Sequence, residues 1–425
     1  MYAFIVDLFN LLHTGRIRFF LVFFFVIWLR WLIVTIVSLK YKPFTNYFDT
    51  SVSVIIPVAD EEPDLFQEVI DKIIKQKPEQ LIVVANGIYN KEIRAICNNY
   101  PSINYRWTKK PGKRNAIRLG MKHASGDIIV LVDSDTVWSN DTLKELKKPF
   151  ADSGIGGVTT RQKIINPTLN LRHRLCDWLE EIRFHGTMQA MSVNGKVGCL
   201  PGRTIAFRRE IIESNMNEFM KEKFLGIHKE VSDDRSLTNI TLKTGYKTVL
   251  QSSSVVYTVA PDSWRKYLRQ QLRWSEGSQY NNIKMSGWML KNAKLMFFIY
   301  WIDTIIPFLL WGLILSFAIN YLFFPEHLHQ EILFNMHSPI MLLTLSSIGA
   351  YFSYSLRQIP AISERTSHLI YIPFYILFLS LIMAPIRIFG FAKLADNLAW
   401  GTRQTTSDLP ATAQALHGRV AYDKA

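Results

Sequence analysis

The chain has 425 residues, 48% of them hydrophobic and only 20% charged, with 49 Lys+Arg against 35 Asp+Glu for a formal charge of +14. A mean hydropathy of +0.07 is too apolar for an ordinary soluble enzyme of this length, and it excludes a disordered or purely nucleic-acid-binding chain. The three cysteines, Cys97, Cys176 and Cys199, have neither zinc nor disulfide spacing, which fits a reducing compartment.

Residues 1–18 carry Phe4, Ile5, Leu8, Leu11 and Leu12 at helical spacing and read as an interfacial helix. The run 19–39, interrupted by Arg30, is long enough at about 1.5 Å rise per residue to cross a bilayer. It outlasts a signal-peptide core, so residues 1–42 read as an uncleaved anchor. From 49 to 260 short apolar runs alternate with charged stretches of helical period. Residues 51–58 (SVSVIIPV), 81–85 (LIVVA) and 128–132 (IIVLV) are expected as buried parallel strands. Residues 62–75, 113–123 and 141–147 are expected as helices, the last capped by Asn140 or Asp141. The alternation predicts a doubly wound, Rossmann-like α/β domain, with ligands at the carboxyl ends of its strands. Residues 261–295 form an amphipathic interface helix, and apolar blocks return at 296–324, 338–356 and 369–391. Loop 325–337 has no Lys or Arg and reads as external, whereas loop 357–368, with Arg357 and Arg365, reads as cytoplasmic. The α/β domain then lies inside, and three full spans in 296–391 put the tail 392–425 outside.

Four constellations carry chemistry. Asp133-Ser134-Asp135 ends the strand 128–132, where two carboxylates at i and i+2 suit a hard divalent cation, Mg²⁺ or Mn²⁺; the competing reading is a solvated loop. Gly112-Lys113-Arg114 sets two cations and free backbone donors at a helix N-terminus, a phosphate cradle or merely a basic loop. Val231-Ser232-Asp233-Asp234 offers a carboxylate able to take a proton from a sugar hydroxyl, although Ser232 or Asp233 could simply cap a helix. Gln270, Arg273 and Trp274 share one helix face, with Lys266 and Arg269 beside them and Trp264, Leu268 and Leu272 opposite. Arginine pairs with a diphosphate and tryptophan stacks on a sugar ring; a basic helix lying on anionic lipid explains the same pattern.

The order of these motifs resembles the processive family 2 glycosyltransferases, the cellulose, chitin and hyaluronan synthases. The blocks 158–164 (VTTRQKI), 198–209 (GCLPGRTIAFRR), 228–239 (HKEVSDDRSLTN) and 269–282 (RQQLRWSEGSQYNN) look closest to the type 3 capsular polysaccharide synthases, which alternate glucose and glucuronic acid. The resemblance implies a cytoplasmic GT-A-type domain inserted between transmembrane helices of a multi-pass protein of the bacterial cell membrane. It implies that Asp133 and Asp135 bind the UDP-sugar and its metal, and that Asp234 is the general base. Gln270, Arg273, Lys113 and Arg114 would bind the diphosphate, with Asp60 and Glu61 near the nucleoside. Trp274, with Asp233 and Cys199, would meet the acceptor.

The chain departs from the family in three places. Ala85-Asn86-Gly87 stands where the family has Asp-Asp-Gly, so Asn86 either offers its amide oxygen to uracil or only makes a turn. Leu200-Pro201-Gly202-Arg203 replaces the hyaluronan synthases' Ser-Gly-Pro-Leu, and Arg203 or Arg161 is the expected contact for a uronate carboxylate. Trp400-Gly401-Thr402-Arg403 matches a motif the family keeps on the cytoplasmic side, against the span count; a re-entrant block bearing Pro373 and Pro385 would reconcile the two. The partners implied are UDP-glucose and UDP-glucuronic acid, the nascent polysaccharide and membrane lipids, with no nucleic acid and no obligatory protein partner. Hyaluronan synthesis from UDP-N-acetylglucosamine and UDP-glucuronic acid is the alternative, beside a non-processive transferase and a non-enzymatic channel or receptor.

Overall fold

A computed structural model describes residues 16–323 and 339–394. The expected helix at 1–18 lies almost wholly outside the described residues, as do loop 325–337 and the 400–403 motif. The chain divides into two compact units.

The first comprises Pro43–Ile165 and Val197–Asn281, with the described residues 393–394. Ten strands occur here in chain order: β1 Val52–Val58, β2 Gln80–Asn86, β3 Ile103–Thr108, β4 Ile128–Val132, β5 Thr136–Trp138, β6 Ile155–Ile164, β7 Thr204–Arg208, β8 Lys223–Phe224, β9 Ile227–His228 and β10 Lys247–Thr258. Eight make one sheet in the order β3-β2-β1-β4-β7-β6-β10-β5, and β8 with β9 form a separate hairpin. β1 runs parallel to β2 and β4, and β2 to β3, as the alternating pattern predicts. β7 is antiparallel to both β4 and β6, and β5 to β10, so the sheet is mixed. The three strands expected to be parallel are so; the antiparallel β7, which follows the long excursion 166–196, was not foreseen.

All seven residues of β1 and all five of β4 are buried, which is why both read as unbroken apolar runs. The helix Lys113–Met121 packs directly on β1, because a Cβ on Gly120 would lie 2.6 Å from Ile55 Cγ2. The expected helices appear as Pro63–Ile74, Lys113–Met121 and Thr142–Lys147, and Asp141 stands at the N-cap of the last without a side-chain cap bond.

The second unit holds the described helices among Met1–Lys42, Asn166–Lys196 and Asn282–Ala392. The expected continuous 49–260 domain is therefore interrupted: Leu171–Arg183, a π-helical turn Phe184–Met188 and Gln189–Val193 belong with the apolar helices. Trp178 shows why, stacking on Tyr375 at 4.9 Å and donating to the Tyr354 hydroxyl at 3.0 Å. Arg30, which breaks the first apolar run, pairs with Asp303 of the helix Lys294–Phe323 at 2.6 Å, so the two charges compensate each other. Among the described residues two helical runs, Lys294–Ser316 and His368–Ala392, are long and apolar enough to cross a membrane, and Val22–Ser38 is a shorter apolar helix. The block with Pro373 and Pro385, expected to be the re-entrant one, is thus a continuous run. The π-helical turn Leu379–Met383 lies between its prolines, where an i→i−4 bond is missing.

Candidate active site

The carboxyl ends of β1, β2 and β4 converge with the N-termini of two helices, and most of the residues expected to carry chemistry meet there. Past Val132 the Asp133 N–H carries the pairing with β7 one step further, to the Arg203 carbonyl at 2.9 Å, and the chain then turns as the Asp133 carbonyl accepts the Thr136 N–H. Ser134 is buried and donates to Glu61 Oε1 at 2.8 Å, linking the β1 exit to the acidic pair. Asp133 and Asp135 remain partly exposed on either side of it, and Asp60 is exposed. Two carboxylates with no nitrogen or sulfur donor suit Mg²⁺ or Mn²⁺ better than zinc.

Gly112, at φ 107, gives the backbone the left-handed turn that opens the helix Lys113–Met121. Lys113 extends into the cleft and pairs with Asp133. Burial opposes its charge, but the carboxylates of Asp133, Asp233 and Asp234 outweigh it and raise its pKa above the usual lysine value.

Arg114 does something else. It is 4% exposed, with Nε 2.6 Å from Asp233 Oδ1, a second nitrogen 2.9 Å from Glu222 Oε2 and a third donating to the Phe219 carbonyl. Its guanidinium lies over the Phe219 ring at 4.7 Å. Such a fully committed side chain fastens the Lys113 turn to the Ser232–Asp234 segment and is turned away from any diphosphate. Asp233 is likewise held inward, away from an acceptor. Asn86 is also turned inward. Its amide donates to the Val58 carbonyl at 3.0 Å and its oxygen accepts the Gly112 N–H at 3.1 Å, so the group expected at uracil ties β1 to the phosphate turn.

The helix Asp233–Lys243 starts after Ser232, which sits at φ 67 and makes no side-chain cap bond. The capping alternative therefore fails for Ser232. Asp234 is oriented from both sides: Oδ1 accepts from the Arg235 N–H at 2.8 Å and the Ser232 hydroxyl at 3.3 Å, Oδ2 from the Gly202 N–H at 3.3 Å and the Cys199 thiol at 3.9 Å. The Cys199–Arg203 loop is thus part of the site. Arg203 donates to Gln162 Oε1 at 2.8 Å, and Gln162 in turn donates to the Pro201 carbonyl. Arg161 is the neighbouring residue of β6 and is half-buried.

The Gln270–Trp274 motif lies in the long helix Trp264–Asn292. One turn later, a Cβ on Gly277 would lie 2.8 Å from Ser232 Cβ, Tyr280 donates to the Val231 carbonyl at 3.0 Å, and Asn281 accepts from Asn239. This close crossing sets the helix beside the Asp234 turn and leaves Trp274 38% exposed. Lys393 and Leu394 line a small cleft with Lys229, Val231, Glu276 and Tyr280. Phe219, Glu222, Gln162 and Gly277 were not singled out from sequence; only Gly277, a glycine inside a helical pattern, carried a signal.

Residues 50–277, more than half the chain, match the family described as "Glycosyltransferase like family 2". The chain is 25% identical over 394 residues to a hyaluronan synthase of Streptococcus pyogenes serotype M3, covering 89% of this chain and 90% of that protein. It is 31% identical over 251 residues to an N-acetylglucosaminyltransferase of Azorhizobium caulinodans, covering 57% and 63%. A mannosyltransferase from Pyrobaculum calidifontis, solved in complex with GDP-Man and Mn²⁺, shares the fold, with a TM-score of 0.60 at 18% identity over 90% of this chain and 98% of that one. The alternative of a non-enzymatic channel or receptor falls with the family match. The chain belongs to glycosyltransferase family 2 and is a glycosyltransferase.

Proposed function

We propose that this glycosyltransferase is a membrane-embedded, processive polysaccharide synthase that alternates glucose and glucuronic acid from UDP-glucose and UDP-glucuronic acid. The observation that carries the reading is the single cleft in which the Asp133 pair, Lys113 and a doubly oriented Asp234 come together beside the Trp274 helix. The similarity to a hyaluronan synthase supports it, because that similarity extends well beyond residues 50–277 into the apolar helices. The helical runs Lys294–Ser316 and His368–Ala392, each long and apolar enough to cross a bilayer, support membrane passage.

Asp133 and Asp135 would hold a divalent cation, which would supply positive charge against the leaving diphosphate. Lys113 and Arg273 bind the diphosphate as point charge and fork. Asp234 takes the proton from the acceptor hydroxyl. Its hydrogen bonds from the Gly202 and Arg235 N–H groups keep the carboxylate aimed. Trp274 stacks the terminal sugar so that its hydroxyl lines up with the anomeric carbon. One displacement turns an α-linked donor into a β linkage. Arg203, anchored by Gln162 above the Gly202 loop, meets the uronate carboxylate.

Hyaluronan synthesis is the second reading, favoured by the hyaluronan synthase and N-acetylglucosaminyltransferase similarities. The test offers UDP-sugars singly and in pairs to purified protein in proteoliposomes. Polymer only with UDP-glucose plus UDP-glucuronic acid supports the first reading; polymer only with UDP-N-acetylglucosamine plus UDP-glucuronic acid replaces it with the second.

A further inference from the structure

Lys113 has a relation to the acidic cleft that its place at a phosphate turn does not account for. Its ammonium pairs with Asp133, the first carboxylate of the pair assigned to the divalent cation. The side chain is only 12% exposed, so this charge lies within the cleft. A Cβ built on Gly202 would stand 3.4 Å from Lys113 Nζ and 3.4 Å from Asp234 Cβ, so the same ammonium lies beside the loop that orients Asp234. The backbone around Lys113 is fixed on both sides. Gly112 makes the turn at φ 107, with its N–H on Asn86, and Arg114 is locked by Asp233, Glu222 and Phe219. Only the flexible four-carbon stem can change partner, and a lysine ammonium with three rotatable donors is suited to do so. A divalent cation on Asp133 and an ammonium on the same carboxylate repel each other at a few ångströms, so each weakens the hold of the other.

We infer that Lys113 is the resident cation of the donor-free site: it occupies Asp133 until a nucleoside diphosphate arrives with the divalent cation, and then transfers to the diphosphate. The inference rests on the reading of Asp133 and Asp135 as the metal-holding pair. Metal alone meets a carboxylate already taken. UDP offers Lys113 another anionic partner and so frees Asp133, which makes the binding of metal and nucleotide mutually reinforcing. A site competent only a tenth of the time binds about tenfold more weakly, and that sets the size of the effect sought.

The experiment measures Mn²⁺ binding by electron paramagnetic resonance on the full-length, detergent-purified protein, with and without UDP. Wild type is expected to bind Mn²⁺ weakly alone and at least about tenfold more tightly with UDP. Lys113→Met, which keeps the length and loses the charge, is expected to bind Mn²⁺ alone about tenfold more tightly than wild type, with little further gain from UDP. Lys113→Arg, which keeps a cation, is expected to retain the weak nucleotide-free binding. Equal nucleotide-free affinities in wild type and Lys113→Met overturn the inference while leaving the metal site standing. Asp133→Asn separates the two failures: if it binds Mn²⁺ with UDP as wild type does, the metal reading itself is wrong and the inference falls with it.

Discussion

Replacing Arg114 with methionine tests the most consequential difference between motif and structure. The substitution keeps much of the volume and removes the guanidinium, leaving the Asp233 and Glu222 carboxylates, each about 5% exposed, without the cation they share. Removing one partner of a buried ion pair costs about 3–5 kcal/mol, and two stranded carboxylates put this case at the upper end. For a domain of 150–250 residues each kcal/mol moves the unfolding midpoint by about 2–4 °C, so a cost of about 5 kcal/mol gives a fall of roughly 10–20 °C. Exposed pairs such as Lys147–Asp49, open to solvent and salt, contribute far less by comparison. The assay is the thermal midpoint of the catalytic unit in detergent, read beside UDP affinity. Adding Glu222→Gln and Asp233→Asn to Arg114→Met should recover a large part of the loss, because neutral amides are far less costly to bury than carboxylates. If the midpoint of Arg114→Met moves by less than about 2 °C while UDP binding collapses, the side chain is a diphosphate ligand and the structural assignment is refuted.

The same geometry sets three further outcomes. Asp234→Asn should abolish sugar transfer while UDP affinity, measured by calorimetry, stays within a few-fold of wild type; transfer at the wild-type rate would remove Asp234 as the base. Gly277→Ala forces a Cβ to within 2.8 Å of Ser232 Cβ. It should lower transfer more than UDP binding by displacing the Asp234 turn from the Trp274 helix, and an unchanged rate would show that this crossing does not position the base. Arg203→Gln should reduce glucuronic acid incorporation relative to glucose, read from product composition, and an unaltered ratio would remove Arg203 from uronate recognition.

Much of the catalytic unit was legible because its strands are buried on both faces. The runs IIVLV and SVSVIIPV have no other stable home, and a doubly wound sheet places the residues at the carboxyl end of each run at a ligand site. The antiparallel β7 was not legible, since TIAFR is an apolar run of undetermined direction. The grouping of 166–196 with the apolar helices was not legible because an amphipathic helix does not reveal its partners; Trp178 finds Tyr354 and Tyr375 almost two hundred residues away. At the site, motif identity located the residues but not their directions. Lys113 and Arg114 are adjacent and chemically alike, yet helical geometry sends one into the cleft and the other into a buried network whose acid, Glu222, lies 108 residues away. Asn86 differs in the same way: its side chain was identified as a polar group near the nucleoside, and tertiary packing uses both of its ends for backbone bonds.

The most direct test of the synthase reading is the length of the product. Purified protein in sealed proteoliposomes, given UDP-glucose and UDP-glucuronic acid with Mn²⁺ and sampled early in the reaction, should yield a few long polymer chains, sensitive to glucuronidase-type digestion, while most acceptor ends remain unextended. Single-sugar additions distributed evenly over all acceptors, with no polymer at any time, would contradict the account and leave a non-processive transferase in its place.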